Sequence, residues 1–265
     1  MTQLEVSQFE KYFELATKGE SIHVNFFESI ASTNQWLLEQ SSLQKTIICA
    51  TDNQTQGRGR RGRHWSSQPG DSLCFSVGIR LNISAAKLSG LSLVIGIVLE
   101  EVLQPLIADS IKLKWPNDLL VNERKLSGIL VETKSLKKDH VDLVIGVGIN
   151  LGSMTEREPG SISLSECQIK QPLDVNYILA QLVAKMLSYL EEFERSGFSS
   201  FQQSWLNKAA WYKKPVNIIT AEQTVSGIYS GIDVDGALIL EHNGETKSYV
   251  AGEVSLRRDS NDTAN

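Results

Sequence analysis

The sequence is poor in the residues that build metal centres and disulfide frameworks. Three cysteines and four histidines are spread over 265 residues, and no two cysteines form a CxxC pair. An odd number of widely spaced cysteines fits neither a disulfide scaffold nor a zinc site of the usual ligand spacing. Two of them, Cys49 and Cys74, lie in apolar runs typical of strands. We therefore expect small core residues in a reducing, cytoplasmic setting and no metal ligated by the protein.

Long apolar runs are also missing. The most apolar stretch, residues 88–99, is stopped by Glu100 and Glu101, well short of the roughly 18–20 residues that a membrane-spanning helix needs. The first twenty residues lack the basic start and the following apolar segment that mark a signal peptide. We therefore expect a cytoplasmic protein with no membrane partner.

Positive charge is scarce overall but concentrated in one place. The formal net charge is -5 and the pI is about 5.5, which argues against broad polyanion binding, since that mode needs a basic face. Yet "TQGRGRRGRHW", residues 55–65, sets four arginines between three glycines. Arginine is a fixed cation with a planar fork of donors, and glycine lets a backbone approach a ligand closely. The segment predicts a mobile, anion-binding loop; a solvated surface loop is the alternative, but it accounts for neither the glycine spacing nor the closing tryptophan.

The hydrophobic periodicity predicts alternating strands and helices in the first four fifths of the chain. Strands are expected at 45–51 and 72–81, on either side of the arginine-rich segment, and a hairpin is expected to turn near 122–124. The continuous apolar run at 140–152 is typical of a strand in the middle of a sheet, with its glycines thinning one side. Helices are expected at 4–16, from 33, at 87–103, at 175–193 and at 198–207.

Ser32 and Gln35 stand at the start of the helix expected from residue 33, with the spacing of a capping box. The same helix start could instead bind a ligand. The sequence favours neither role over the other.

Beyond Lys213 the pattern changes to short strands. Asp235-Gly236 and Asn243-Gly244 are strong signals for two-residue hairpin turns, and they predict a small β-barrel of SH3-like size. We expect a short helical extension at 1–21, a catalytic domain at 22–210, an SH3-like domain at 211–258 and a disordered tail at 259–265.

Several short motifs are weak signals of function when taken singly, but their order along the chain is informative. "KWPND", residues 114–118, sets a cation, an aromatic ring, an amide and a carboxylate at a strand end, which suits a site or an ordinary turn alike; "GVGIN", residues 146–150, is a weak GxG. Ser32-Thr33-Asn34, Gln54 followed by "GRGRRGRxW", "KWPND", "KLSGILVE" and "GVGIN", in this order, resemble biotin–protein ligase over residues 22–257. The resemblance implies an α+β fold: a mixed β-sheet flanked by helices, like a class II aminoacyl-tRNA synthetase core, with a C-terminal SH3-like β-barrel.

The resemblance also implies an activity. Enzymes of this family use ATP, with Mg²⁺ bound through it, to convert biotin into biotinyl-5′-AMP, and they transfer it to a lysine of the biotin carboxyl carrier protein of acetyl-CoA carboxylase. Residues 1–21 are too few for the winged-helix repressor module of some bacterial members. We therefore expect the monofunctional type, which binds no specific operator DNA; whether the chain forms a homodimer is left open.

Residue roles follow from the same resemblance. The biotin pocket is implied to contain the polar residues Ser32, Thr33, Asn34 and Gln54, the loop residues Arg58, Gly59 and Arg60, and the wall residues Gly128, Ile129 and Leu130. The nucleotide side is implied to contain Trp115, Asn117 and Asn150, with Trp65 packing the closed loop. The groups nearest the chemistry are implied to be Lys125, beside the biotin carboxylate and the α-phosphate, Arg60, and Asp118, which would orient or deprotonate the incoming lysine.

Three other functions are compatible with parts of the sequence. A lipoate ligase or octanoyl transferase shares the implied fold but does not show the "GRGRRGRxW" loop. A nucleic-acid-binding module would use the arginines on phosphates, but the acidic balance and the lack of interleaved aromatic residues oppose it. An adaptor built around the C-terminal barrel leaves the larger part of the chain without a role.

Overall fold

The chain folds around two β-sheets. The computed structural model describes residues 3–17, 22–152, 158–220, 222–251 and 255–258, and the expected disordered tail at 259–265 lies outside the described residues. The larger sheet consists of seven strands: β1 (His23–Phe26), β2 (Ile47–Thr51), β3 (Ser72–Leu81), β4 (Ile111–Lys114), β5 (Asp118–Val121), β6 (Arg124–Leu136) and β7 (Val141–Asn150). Their spatial order is β1-β2-β3-β7-β6-β5-β4. β1 and β2 are parallel and the other neighbours are antiparallel, which confirms the mixed sheet.

β7 lies at the centre of this sheet, as its sequence predicts. It pairs with β3 on one side and with β6 on the other, and all ten of its residues are buried. The hairpin between β5 and β6 turns at Asn122 and Glu123, as expected, and both residues have positive φ. The loop that contains the four arginines connects β2 to β3, so it hangs beside the central strands.

Helices cover both faces of the larger sheet. They are α1 (Val6–Thr17), α2 (Thr33–Leu38), α3 (Leu91–Leu103), α4 (Val175–Ser196) and α5 (Gln202–Lys208). On one face, α3 and α4 supply most of the main core, including Ile95 and Leu182, neither of which is exposed. On the other face, α2 packs Leu37 against Cys49 and Val144. Cys49 and Cys74 are both buried, as expected.

Two helix boundaries differ from the sequence expectation. The helix expected at 87–103 begins only at Leu91, because Gly90 has a φ of 79° and interrupts the helical backbone. The helix expected at 198–207 is a 3₁₀ turn at Gly197–Phe201 followed by α5. In both places a glycine conformation resets the backbone before the α-helix starts.

The N-terminal helix belongs to the same core as the sheet. Phe9 is not exposed at all, and its ring stacks on Phe13 and meets Phe26 edge-on, with centroids 5.5 and 5.6 Å apart. Asn176 at the start of α4 accepts a hydrogen bond from the Glu5 amide at 2.8 Å. Ala16, expected on the apolar face, is exposed. Residues 3–17 are therefore packed as part of the larger unit.

The smaller sheet is antiparallel and has five strands. They are β8 (Pro215–Ile219), β9 (Thr224–Ile232), β10 (Leu238–His242), β11 (Glu245–Tyr249) and β12 (Ser255–Arg258), in the spatial order β11-β10-β9-β8-β12. The size and pairing are consistent with the SH3-like expectation, although no pairing closes the sheet into a barrel within the described residues. Asn243 and Gly244 form the expected two-residue turn, with φ values of 52° and 79°. Asp235-Gly236 instead lies in the longer loop 233–237, because the Asp233 carboxylate accepts from the amides of Asp235 and Ala237 at 3.0 and 2.8 Å.

Buried indole donors join the two sheets. Trp115, 1% exposed, donates from Nε1 to the Gly236 carbonyl at 3.1 Å, and Trp205 donates to the Tyr229 hydroxyl at 3.1 Å. The expected domain boundary at 210/211 falls between α5 and β8. None of the helices in the described part of the chain has the length and apolar character needed to cross a membrane.

The packing of α1 gives a stability prediction. Phe9→Ala should lower the free energy of unfolding by about 3–5 kcal/mol, since it opens a cavity in a fully buried aromatic cluster. Leu15→Ala, on the same helix but 77% exposed, should change it by less than about 0.5 kcal/mol. Chemical denaturation of both variants measures the difference, and equal effects would show that α1 is not part of the core.

Candidate active site

The arginine loop, defined here as residues 57–65, is a closed turn of backbone. The Gly59 amide donates to the Arg63 carbonyl at 2.8 Å, and the Trp65 amide donates to the Gly57 carbonyl at 2.9 Å. A Cβ atom on Gly57 would overlap the Trp65 carbonyl oxygen. A glycine is therefore required at position 57, because the backbone at Gly57 passes too close to the backbone at Trp65 to leave room for a side chain.

The two glycines of "GVGIN" leave room for two side chains on the central strand. A Cβ atom on Gly146 would overlap the amide of Asn34, and a Cβ atom on Gly148 would overlap the indole of Trp65. Asn34 comes from α2 and Trp65 ends the arginine loop. The bare backbone of β7 is therefore the floor on which the helix and the loop meet. The glycines thin one side of the strand, as expected, but the two side chains that use this space were not predicted.

A buried polar cluster lies at the start of α2. The Ser32 hydroxyl accepts from the Gln35 amide at 3.4 Å, but the Gln35 side chain donates to Glu39, so the expected capping box is only half formed. The Thr33 amide donates to Gln54 Oε1 at 2.9 Å. Ser76 Oγ on β3 lies 2.7 Å from Thr33 Oγ1 and 2.5 Å from Asn34 Oδ1. Polar groups buried this well fix their neighbours' orientation, so this end of the site is built to discriminate hydrogen-bonding ligands.

Asp118 lies between two lysines. Lys125 Nζ is 3.0 Å from Asp118 Oδ1 and lies 5.4 Å from the centroid of the Trp65 ring. Lys114 Nζ is 4.0 Å from Asp118 Oδ2. Burial lowers the pKa of Lys114 to about 8, against the opposing effect of the Asp118 carboxylate. The Lys114 ammonium is thus poorly solvated, and an added anion would stabilise it.

Arg60 connects the loop to both sheets. Its guanidinium donates to Asn117 Oδ1 at 2.9 Å and to the Ala251 carbonyl, and burial lowers its pKa from the ordinary arginine value. Arg61, whose φ is 58°, donates to Ser255 Oγ at 3.3 Å on the smaller sheet. A second, smaller pocket lies between this part of the loop, the start of β5 and β12. Its charged lining residues are Arg60, Arg61, Arg63, Lys114, Asp118 and Arg257.

The main pocket lies under the arginine loop and contains most of the residues expected from the sequence. The expected residues that line it are Ser32, Thr33, Asn34, Gln54, Arg58, Gly59, Arg60, Trp65, Asn117, Lys125, Gly128, Ile129 and Leu130. Further lining residues are Arg63, His64, Gly146, Val147, Gly148 and Glu158. One compartment therefore brings together residues from the start of α2, the arginine loop and the strands β6 and β7.

Three expected residues lie outside this lining. Trp115 is buried, with its indole held by Gly236, and contributes only to the smaller pocket. Asp118 reaches the main pocket through its ion pair with Lys125. Asn150 donates to the carbonyls of Lys125 and Ile162 at 3.2 and 3.1 Å, so its amide hydrogens hold the start of β6 in place.

Two residues near the pocket were not singled out from the sequence. Ser76 is a polar residue within the apolar strand "SLCFSVGIRL", which was the available signal. Glu132 ends the quoted run "KLSGILVE" and accepts from Asn34 Nδ2 at 2.8 Å and from Arg58. Its role depends on partners 98 and 74 residues away along the chain, which a linear pattern does not show.

Comparisons with known proteins agree with this division into two parts. The sequence profile of the "Biotin/lipoate A/B protein ligase family" matches residues 26–150, and that of the "Biotin protein ligase C terminal domain" matches residues 214–257. The bifunctional ligase/repressor BirA of Salmonella typhimurium is 43% identical over 233 residues, which cover 86% of this chain and 72% of the relative. The first profile spans most of the seven-stranded sheet, and the second spans the five-stranded sheet.

Two further relatives extend the similarity. The biotin--[acetyl-CoA-carboxylase] ligase of Mycobacterium tuberculosis is 30% identical over 232 residues, covering 84% of this chain and 85% of the relative. The structure of biotin protein ligase from Aquifex aeolicus in complex with biotin and ATP superposes with a TM-score of 0.75 at 28% identity, covering 89% of this chain and 99% of that chain. The overall fold is therefore shared along nearly the whole of that enzyme.

The environment of Lys114 gives a prediction about its titration. The ¹³Cε resonance of Lys114, assigned by its loss in Lys114→Arg, should titrate with a midpoint of about 8 because burial disfavours the ammonium. In Asp118→Asn the midpoint should fall further, since the carboxylate that favours the charged form is gone while burial remains. A wild-type midpoint near the ordinary value of 10.5, or a rise in Asp118→Asn, would contradict the described geometry.

Proposed function

The chain belongs to the biotin protein ligases, and we propose that its main pocket forms biotinyl-5′-AMP from biotin and ATP and passes the biotinyl group to a lysine of a biotin carboxyl carrier protein. The observation that carries this proposal is the meeting of a buried polar end and a cationic end within one pocket under the arginine loop. Biotin has a polar ring system at one end and a carboxylate at the other, joined by an apolar chain. The pocket offers matching chemistry in the same order.

The ring of biotin is proposed to lie at the α2 end. The buried residues Thr33, Asn34 and Ser76 and the half-buried Gln54 present hydroxyl and amide groups there, which suit the donors and acceptor of a ureido group. Ile129, Leu130 and Val147 supply apolar wall for the chain. Small-ligand pockets commonly combine apolar walls with a few fixed polar groups.

The phosphates of ATP are proposed to lie at the opposite end. Lys125, Arg60 and Arg63 line the main pocket, and the neighbouring pocket adds Arg61 and Lys114 together with Arg257 from β12. Among the described residues that line the smaller pocket, five are cations and one is a carboxylate, which suits a pyrophosphate leaving group. Asn117, held by Arg60, lies between the two pockets and is proposed to border the nucleotide.

The chemistry needs positioning and charge compensation rather than a protein nucleophile. An oxygen of the biotin carboxylate forms a bond to the α-phosphorus, and the bond from that phosphorus to the bridging oxygen breaks as pyrophosphate leaves. Two anions must approach each other, so Lys125 and Arg60 are proposed to offset their repulsion and the charge on the transferred phosphoryl group. Mg²⁺ is proposed to arrive on ATP, because two carboxylates described at this end of the site are already paired with cations: Asp118 with Lys125, and Glu158 with Arg63.

The second step transfers the biotinyl group to the carrier protein. The lysine amine of the carrier attacks the acyl carbon, and the bond between that carbon and the phosphate oxygen breaks as AMP leaves. The mixed anhydride must be kept from water until then, and the arginine loop over the pocket is proposed to do this. Asp118 is proposed to orient the incoming amine or to accept its proton.

Lipoate is the alternative substrate, because the family profile that matches residues 26–150 covers both biotin and lipoate ligases. The match of residues 214–257 to a C-terminal domain specific to biotin protein ligases favours biotin. Lipoate carries a dithiolane ring without ureido donors, so it would form no hydrogen bonds with the polar side chains at the α2 end of the pocket. A site built with hydrogen-bonding groups disfavours an analogue that cannot use them.

An exchange assay tests the proposed function. The protein should exchange label between pyrophosphate and ATP only when biotin is present, and not with lipoate or octanoate in its place. Lys125→Ala should lower the exchange rate about ten- to a hundredfold, the effect of losing a charge-assisted contact of about 1.5–3 kcal/mol. Lys112→Ala removes an exposed lysine on β4 of the same sheet and is the matched control, with an expected rate near that of the wild type.

Two outcomes would contradict the proposal in different ways. Exchange driven by lipoate rather than biotin would assign the pocket to the other substrate. Biotin-dependent exchange that is equally fast in Lys125→Ala would keep the function but remove Lys125 from the reacting centre.

A further inference from the structure

We propose that Glu132 is a positioning residue that couples the ligand-facing amide of Asn34 to the arginine loop through the two oxygens of its carboxylate. The inference rests on the function proposed above, because its consequence is how firmly the loop holds biotinyl-AMP. Glu132 does not line the main pocket. It acts through two residues that do, Asn34 and Arg58.

The carboxylate is shared between a helix residue and a loop residue. Glu132 Oε2 accepts from Asn34 Nδ2 at 2.8 Å, and Oε1 accepts from Arg58 Nη2. Arg58 also donates from Nη1 to Gln35 Oε1 at 2.6 Å. The Glu132 side chain is 20% exposed and that of Arg58 is 42% exposed, so the carboxylate is the more buried partner of this ion pair. The first arginine of the loop is thereby tied to α2 and β6 together.

Glu132 also sets which way the Asn34 amide points. Asn34 Nδ2 faces two acceptors, Glu132 and the Leu130 carbonyl at 3.3 Å, while Oδ1 faces the Ser76 hydroxyl at 2.5 Å. A flipped amide would bring its oxygen against both acceptors, which excludes that orientation. The orientation in which the amide faces a ligand is therefore set by Glu132 together with Leu130 and Ser76.

The helix itself is held by a different residue of the same strand. Lys134, two positions beyond Glu132 on β6, donates to the Leu38 carbonyl at the C-terminal end of α2. Leu37 beneath is fully buried. A change confined to the carboxylate of Glu132 should therefore release the loop and the amide while α2 remains in place.

The coupling has a consequence for retention of the intermediate. Arg58 and Arg60 are separated only by Gly59, so the hold of Glu132 on Arg58 also limits the movement of Arg60. A ligand that engages the Asn34 amide tightens the same carboxylate contact that keeps the loop down. Ring binding at one end of the pocket is thus linked to loop closure over the phosphate end.

Glu132→Gln separates this role from a general structural one. A glutamine offers one acceptor and one donor group to two donors, so whichever way it turns, either Asn34 or Arg58 faces an N–H group. Trypsin should then cut the ligand-free protein after Arg61 and Arg63 about three- to tenfold faster, as measured by mass spectrometry. Preformed biotinyl-AMP should dissociate from the variant faster by a similar factor.

A second variant and a control keep the test decisive. Arg58→Gln removes the loop partner and should give the same increase, and the double variant Glu132→Gln/Arg58→Gln should be no worse than either single variant. Glu101→Gln removes a carboxylate that accepts from Lys185 and Tyr189 on the α3–α4 side of the protein, and it should leave both rates within about twofold of wild type.

The outcomes separate this inference from the proposed function. Unchanged cleavage and dissociation in Glu132→Gln, or effects of the two substitutions that multiply in the double variant, would overturn the coupling. Loop cleavage needs no catalysis, so failure of biotin-dependent exchange would leave that result standing. If Glu132→Gln raises cleavage throughout the chain instead of in the loop, the residue is structural and the proposal fails.

Discussion

The close approach of two side chains to bare backbone is the constraint on which this site depends. Asn34 and Trp65 lie against β7 at Gly146 and Gly148, where any larger residue would overlap them. β7 is paired on both sides and fully buried, so the floor is fixed by the sheet and cannot shift without disturbing the core. The wall of the pocket and the packed end of the arginine loop are therefore both positioned against a strand that is buried and paired on both sides.

The charged residues around this floor include two ion pairs and a separate arginine, Arg60. Glu132 pairs with Arg58 near the start of α2, and Asp118 pairs with Lys125 between the main pocket and the smaller pocket. Arg60 is held by an amide and a carbonyl, and the Asp118 carboxylate adds an electrostatic attraction to its guanidinium. Phosphoryl transfer between two anions benefits from such a prepositioned cation. An acidic protein can therefore keep a cationic loop at the one place where its proposed chemistry needs it.

Sequence reasoning succeeded where a local pattern determines the structure. The apolar run at 140–152 was predicted as a central strand, and Asn243-Gly244 formed its two-residue turn, because both outcomes depend on neighbouring residues alone. It failed where a distant or unexpected partner decides. Asp233 converts the Asp235-Gly236 turn into a longer loop, and Gln35 donates its side chain to Glu39 instead of completing the capping box with Ser32. Glu132 acts through residues more than seventy positions away; only the fold brings them together.

The most direct measurement of the central claim is biotin affinity in Gly148→Ala. The added methyl group would overlap the Trp65 ring on a surface loop, so the loop should be displaced while the core remains packed. The account predicts at least a tenfold loss of biotin affinity by calorimetry with little change in thermal stability. Gly231→Ala, where the nearest atom would lie at an ordinary 3.6 Å, should bind biotin like the wild type. Wild-type affinity in Gly148→Ala would contradict the claim that the glycine floor of β7 builds the site.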